Sequence, residues 1–461
     1  MSKKQTLDMT QGKPMGLLLR FALPLVLSAL FQQLYSFADT AIVGRILGVE
    51  ALSAVGVTGS VYFLVLGLTM GSAMGFSIPI SQSVGAGNKE DVSRYFWNGL
   101  YLSFALCILI CVGVTMFVRP ILIALNTPEN LLDMAVEYLT IIMLGQLTTV
   151  IYNYFSGILR AFGDSKRPLY FLLIASTLNI ILDVVLILPP FNMGVAGAAI
   201  ATIASQGVSA VLAVWWIVAK SNNIHAKSEN GESLSKLSWV HIGKMCGIGI
   251  PMGLEYSITS IGSVFLQSSV NALGDVTVAA VTCGEKIRGI VGLPMENVGM
   301  ALATFVGQNY GAKRMDRIKD GIKAGLIIEA CYVAIATAVM LVASRPLVYL
   351  LLGTWESPEV NQAVQYMNII TPLFICAGVL FIFRNTLQGM GYGVPAMISG
   401  GMEVLGRIVI SMLATHFMSF TIVTLAHPAA WAMGAIWCAI VCTYFIRKKS
   451  REFAVCGEYS P

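Results

Sequence analysis

Six stretches of this chain, residues 51–88, 95–118, 138–159, 184–219, 360–383 and 408–446, contain no Asp, Glu, Lys or Arg. Such runs restrict the fold more than any other feature, because a water-facing surface needs charge and a lipid-facing one does not. A helix must place roughly 20 apolar residues in a row to cross a hydrocarbon layer about 30 Å thick. Every run is long enough, and the longest hold two spans or a span and a loop. Their breaks are marked by Pro189, Pro190 and Gly194, and by His427 and Pro428. Charged residues make up 11% of the chain, against about 25% in soluble domains. Backbone N–H and C=O groups find no water in lipid, so such segments must be helices. The pattern predicts twelve helices, near residues 17–41, 52–80, 95–118, 135–159, 168–189, 194–219, 243–272, 276–306, 320–343, 361–386, 395–416 and 427–446. The expected class is therefore an all-α integral membrane protein. The apolar stretch from Leu17 is too long for a secretory leader and lacks a small-residue cleavage pattern, so it reads as the first span.

Basic residues orient the chain. Lys3, Lys4, Lys13 and Arg20 precede or open the first helix, and Lys89 and Arg94 follow the second. Arg160, Lys166 and Arg167 follow the fourth, Lys313, Arg314 and Arg317 the eighth, and Arg447, Lys448, Lys449 and Arg451 the twelfth. The opposite loops hold Arg45, Arg119 and Arg345. Positive charge stays on the cytoplasmic side, which places both termini there. The net charge of +5 is this bias and needs no nucleic-acid partner. The basic tail reads as a contact with anionic lipid. The nine cysteines are scattered, and intramembrane cysteine ordinarily acts as small apolar packing.

The chain also repeats itself. Gln82, Gly85 and Ala86 return as Gln308, Gly311 and Ala312, a shift of 226; Pro24 returns as Pro251, and Pro168 as Pro395, each a shift of 227. Gly163 returns as Gly391. Each half holds an even number of helices, so both start on the same side. They are expected to form two six-helix lobes related by a pseudo-two-fold axis along the membrane normal. The expected divisions are a cytoplasmic N-terminus (1–16), an N-lobe (17–220), a polar linker (221–238), a C-lobe (239–446) and a cytoplasmic tail (447–461). Pro24 and Pro251 sit inside helices, where proline removes a hydrogen bond and bends the axis. Paired bends in two repeats suggest moving hinges, and a static kink is equally consistent. Gly67, Gly71 and Gly75 form a small-residue face suited to close helix packing.

A charge in mid-bilayer costs about 2.5–3.5 kcal/mol on insertion scales, so an intramembrane acid is a functional candidate. Asp39 is 19 residues past Arg20 and Asp183 is 16 past Arg167, depths of about 28 and 24 Å. Two acids at one level in one bundle can form a proton or cation site. Tyr35 and Asn179 each lie one turn before an acid, and Thr202 lies in the next helix. Carboxylate, amide and hydroxyl oxygens suit a hard cation and equally suit proton exchange. At the repeat offset, Asp39 becomes Phe265 and Asp183 becomes Ile410, so the duplicated scaffold does not require these acids. In the second half, Glu403 and Arg407 are spaced as an i,i+4 ion pair. Glu285, Lys286 and Arg288 can neutralise one another, and Glu255 and Glu296 can face a polar cavity and attract cations. Glu329 is expected near a helix start, within reach of headgroups. No nucleophile–base cluster, metal spacing or phosphate loop is present, which argues against an enzyme. The asymmetric acids argue against a symmetric pore.

Several motifs resemble the multidrug and toxic compound extrusion (MATE) transporters over nearly the whole chain. They are Phe37, Asp39 and Thr40 with Val43 and Gly44; the Gln-x-x-Gly-Ala loops at 82–86 and 308–312; Leu159 through Gly163, Asp164 and Pro168; Asn179 with Asp183; and Gly197 through Thr202. The resemblance implies two six-helix lobes around a V-shaped cavity. It implies alternating access driven by H+ or Na+ entry, with organic cations as frequent cargo. It also implies a coupling-ion site at Asp39, Asn179, Asp183, Thr202 and Tyr35. The expected function is cation-coupled antiport of small organic compounds in a bacterial cytoplasmic membrane, with no cofactor beyond the coupling ion. The expected partners are membrane lipid and small-molecule cargo, with no obligatory protein partner. A flippase for lipid-linked saccharides is the alternative.

Overall fold

The computed structural model describes residues 6–220 and 233–455. The predicted linker falls mostly on 221–232, which lie outside the described residues, as do 1–5 and 456–461. Among the described residues the chain is helical. The elements are α1 (Pro14–Ile46), α2 (Val49–Gly85), α3 (Lys89–Ala124), α4 (Glu129–Leu144), α5 (Gln146–Ala161), α6 (Lys166–Ile187) and α7 (Gly194–Lys220). They continue with α8 (Trp239–Ala272), α9 (Asp275–Gly311), α10 (Met315–Leu352), α11 (Pro358–Gly389), α12 (Gly393–Phe417), the short α13 (Phe420–Thr424) and α14 (Ala426–Val455).

Each predicted span has a helical counterpart, generally longer than the apolar run suggested. Ten helices are long and apolar enough to cross a membrane. The fourth predicted span is two pieces, α4 and α5, bent by 42° at Gly145. A Cβ at Gly145 would lie 2.2 Å from the Ile203 side chain of α7, so the break lets α7 press close. The remaining long helix, α8, has 34 residues, about 51 Å at 1.5 Å per residue. Large apolar side chains such as Val342 and Leu350, 80% and 77% exposed, suit lipid and would be costly in water.

The repeated sequence landmarks are helix stops. Gly163 has φ 81° after α5, Gly391 φ 92° after α11, Gly87 φ 71° after α2, and Lys313 φ 57° after α9. Each of the four closes its helix with the same pair of backbone bonds. For α5 these are Gly163 N–H to Arg160 O at 2.8 Å and Asp164 N–H to Leu159 O at 2.9 Å. For α11 they are Gly391 N–H to Gln388 O at 2.8 Å and Tyr392 N–H to Leu387 O at 2.9 Å. This left-handed cap satisfies carbonyls that the helix end would otherwise orphan. A further repeat pair escaped the sequence reading. Gly48 and Gly274 precede α2 and α9 with φ 88°, ψ −178° and φ 92°, ψ 172°, a region open essentially to glycine alone.

The chain forms two compact units. The described residues of 1–8 and 27–253 form one, and those of 9–26 and 254–461 the other. Two of the three divisions fall inside a helix, between Val26 and Leu27 of α1 and between Gly253 and Leu254 of α8, two residues past Pro24 and Pro251 respectively. The first unit is built around Phe76, Phe96, Tyr154 and Phe155, with a second cluster around Leu122, Leu139 and Met143. The Tyr154 hydroxyl is buried there and donates to Phe96 O at 2.8 Å. The glycine face of α2 meets glycines of α8 in this unit. A Cβ at Gly71 would lie 2.8 Å from Gly253 Cα, and one at Gly75 2.3 Å from Gly249 Cα. The backbones thus approach more closely than any side chain would allow. In the second unit α11 is central and packs on α9, α10 and α14.

Candidate functional site

Tyr35 and Asp39 project from one face of α1, and Asn179 and Asp183 from one face of α6, by the one-turn spacing that puts i and i+4 together. α6 and α7 are adjacent, which brings Thr202 of α7 to the same place. The structure gathers all five residues in the first unit. The carboxyls of Asp39 and Asp183 lie close enough to interact with each other. The Asn179 amide donates to Asp183 Oδ2 at 2.9 Å and accepts from the Thr202 backbone N–H at 3.2 Å. The Tyr35 hydroxyl lies close enough to the Thr202 side chain to interact with it. Asp183 and Asn179 are 0% and 1% exposed. Tyr62 of α2 and Tyr138 of α4 complete the surround, both close enough to interact with Asp39. Neither was found by sequence, since an aromatic residue in an apolar helix carries no signal of its own.

Two carboxyl groups in direct contact repel unless a proton or a cation sits with them. Asp39 Oδ1 and Asp183 Oδ1 are both buried and have no hydrogen-bond partner among the described residues. Around them stand the hydroxyls of Thr202 and Tyr35, with the Asn179 amide bridging Asp183 and the Thr202 backbone. This donor set is rich in oxygen and free of thiolate and imidazole, which suits a proton or a hard monovalent cation and not a transition metal.

The candidate charges of the second half fall in the second unit, in two groups. Glu255 of α8 takes Arg384 Nη1 at 2.7 Å and the Gln388 amide at 3.1 Å. Arg384 also reaches Glu403 Oε1 at 3.0 Å, and Glu403 Oε2 lies 3.4 Å from Arg407. Arg407 donates in addition to Thr259 O at 2.7 Å. Glu403 and Arg407 are paired as their spacing predicts, but the nearer cation on Glu403 is Arg384. Sequence reasoning did not single out Arg384. It directly follows the charge-free run 360–383, where it reads as the end of a span. In the other group, Glu285 pairs with Arg288 at 2.5 Å, lies 3.0 Å from His427 Nε2 and accepts from the Tyr366 hydroxyl. Glu296 accepts from the Tyr256 hydroxyl at 3.4 Å. Glu329, expected near headgroups, is instead 1% exposed and in mid-helix, because α10 starts earlier than the apolar run indicated.

A helical membrane protein with two internally similar halves and a buried, oxygen-lined carboxyl pair is a polytopic transporter. The MatE family model matches residues 24–185 and again 251–413, once per repeat. The chain belongs to the MatE family. Among its relatives, "Probable multidrug resistance protein YpnP" of Bacillus subtilis (strain 168) is 29% identical over 83% of this chain and 84% of its own. "Probable multidrug resistance protein YoeA" of the same organism is 27% identical over 90% of both chains. A solved structure described as "Crystal structure of MATE in the bent conformation" superposes with a TM-score of 0.89 at 22% identity, covering 98% of this chain and all of that one.

Proposed function

We propose that this chain is a secondary active multidrug exporter of a bacterial cytoplasmic membrane. It exchanges H+ or Na+ for small organic cations by alternating access, with both termini in the cytoplasm. The carrying observation is that Asp39 and Asp183 lie close enough to interact while each carboxyl keeps a buried oxygen without a partner among the described residues. Such a pair binds a proton or Na+ when the cation arrives from outside and repels itself when it leaves. A bound cation shifts a conformational equilibrium only by its differential affinity for the two states. Asp39 lies on the same helix as Pro24, so a change in carboxyl spacing acts on the α1 bend, with Pro251 the matching hinge in α8. The relatives named for multidrug resistance support export of varied compounds. Among the second-unit charges, Glu255, Glu285, Glu296 and Glu403 attract cationic cargo, while Arg384 holds Glu255 and, with Arg407, Glu403, and Arg288 holds Glu285. That balanced set is not the basic surface a pyrophosphate-linked saccharide would need.

The test is ethidium efflux from proteoliposomes under a H+ gradient or a Na+ gradient alone. Asp39→Asn is expected to fold and insert normally and to lose at least about tenfold in gradient-driven efflux, one 1.4 kcal/mol step in coupling. Wild-type efflux rates from well-inserted Asp39→Asn protein under both gradients overturn the reading.

A further inference from the structure

Glu329 has no role in the mechanism above, yet its setting is the least forgiving of any acid in the second unit. It lies fourteen residues into α10, about 21 Å along the axis. The residue is 1% exposed, and neither carboxyl oxygen has a hydrogen-bond partner among the described residues. The facing residue of α11 is Gly378. A Cβ there would lie 3.0 Å from Glu329 Cβ and 3.1 Å from Oε2, so the missing side chain is the space the carboxyl occupies. Tyr332, one turn on, gives its hydroxyl to Val291 O of α9 at 2.6 Å and does not serve the acid. Tyr332 is also the one ionisable neighbour whose charge couples to Glu329; no charged group of α9, α11 or α14 does so among the described residues. The three arginines Arg384, Arg407 and Arg288 are engaged elsewhere, the first two with Glu403 and the third with Glu285.

A bare carboxylate buried without a partner is strongly unfavourable. A metal cation would need several oxygen ligands, and the neighbours offer a glycine and an occupied hydroxyl. We propose that Glu329 is a second proton-binding site, separate from the Asp39–Asp183 pair. It holds a proton in the packed arrangement of α10 against Gly378 and releases it when that packing opens to water. The step is simple protonation of a carboxylate, with no other bond made or broken. It rests on the export reading for its use but has a readout independent of it.

The experiment is pH-induced infrared difference spectroscopy on full-length protein in lipid, with ethidium efflux measured on the same preparations. Wild-type and Asp39→Asn protein are expected to share a C=O band of an un-ionised carboxylic acid that Glu329→Gln lacks and Gly378→Ala displaces. Glu329→Gln is expected to slow H+-driven efflux about tenfold and flatten its pH profile. A Glu329→Gln spectrum that keeps every carboxylic-acid band overturns the proposal, as does an unchanged efflux pH profile. Loss of efflux in Asp39→Asn alone leaves the export reading standing and removes Glu329. Loss in Glu329→Gln alone leaves Glu329 standing and removes the Asp39–Asp183 pair as the coupling site.

Discussion

Replacing Arg384 with glutamine tests whether the second-unit charges form one network. Arg384 sits 2.7 Å from Glu255 and 3.0 Å from Glu403, and the three side chains are 13%, 6% and 5% exposed. Arg384→Gln leaves Glu255 with only the Gln388 amide at 3.1 Å and Glu403 with Arg407 at 3.4 Å. Breaking a buried pair by removing one partner costs about 3–5 kcal/mol, because a charge is left uncompensated. For a cooperative unit of about 200 residues, at roughly 2–4 °C per kcal/mol, the unfolding midpoint should fall by about 6–20 °C. The assay is thermal unfolding of detergent-solubilised protein followed by tryptophan fluorescence. Adding Glu255→Gln should recover part of the loss, since it removes the stranded charge, and the cycle should show at least about 1 kcal/mol of coupling. A shift under about 2 °C for Arg384→Gln, or strictly additive effects in the double variant, would refute the network.

Gly163→Ala should cost about 1–2 kcal/mol from its left-handed φ alone, and more because a Cβ would meet Leu7 O at 2.0 Å; the unfolding midpoint and proteolysis near residue 7 report it. Gly75→Val should lower both yield and midpoint, since its first carbon would fall 2.3 Å from Gly249 Cα. Gly56→Ala, with nothing within 4 Å, should stay within about 0.5 kcal/mol of wild type. Thr202→Val removes a hydroxyl that interacts with Tyr35 at nearly constant volume. It should raise the Na+ concentration for half-maximal efflux several-fold if Na+ is the coupling ion, and leave H+-driven efflux within about twofold if the proton is; a total loss of folded protein would instead mark Thr202 as structural.

Span number and repeat offset follow from chain order alone, because spans are set by apolar run length, and the intramembrane acids stand out where charge is expensive. One-turn pairs such as Tyr35 with Asp39 and Asn179 with Asp183 are legible for the same reason: helix geometry settles them locally. The caps at Gly163 and Gly391 were visible as landmarks, though their left-handed backbone was not. Which way each helix faces was decided only by tertiary packing. In water an apolar stripe marks the buried side, but lipid and protein interior are equally apolar, so the sequence of a spanning helix carries little record of its rotation. That is why Arg384 as the cation shared by Glu255 and Glu403, the tyrosines 62 and 138 around the acid pair, and the isolation of Glu329 against Gly378 emerged only in three dimensions. Each depends on helices far apart in sequence presenting particular faces to one another.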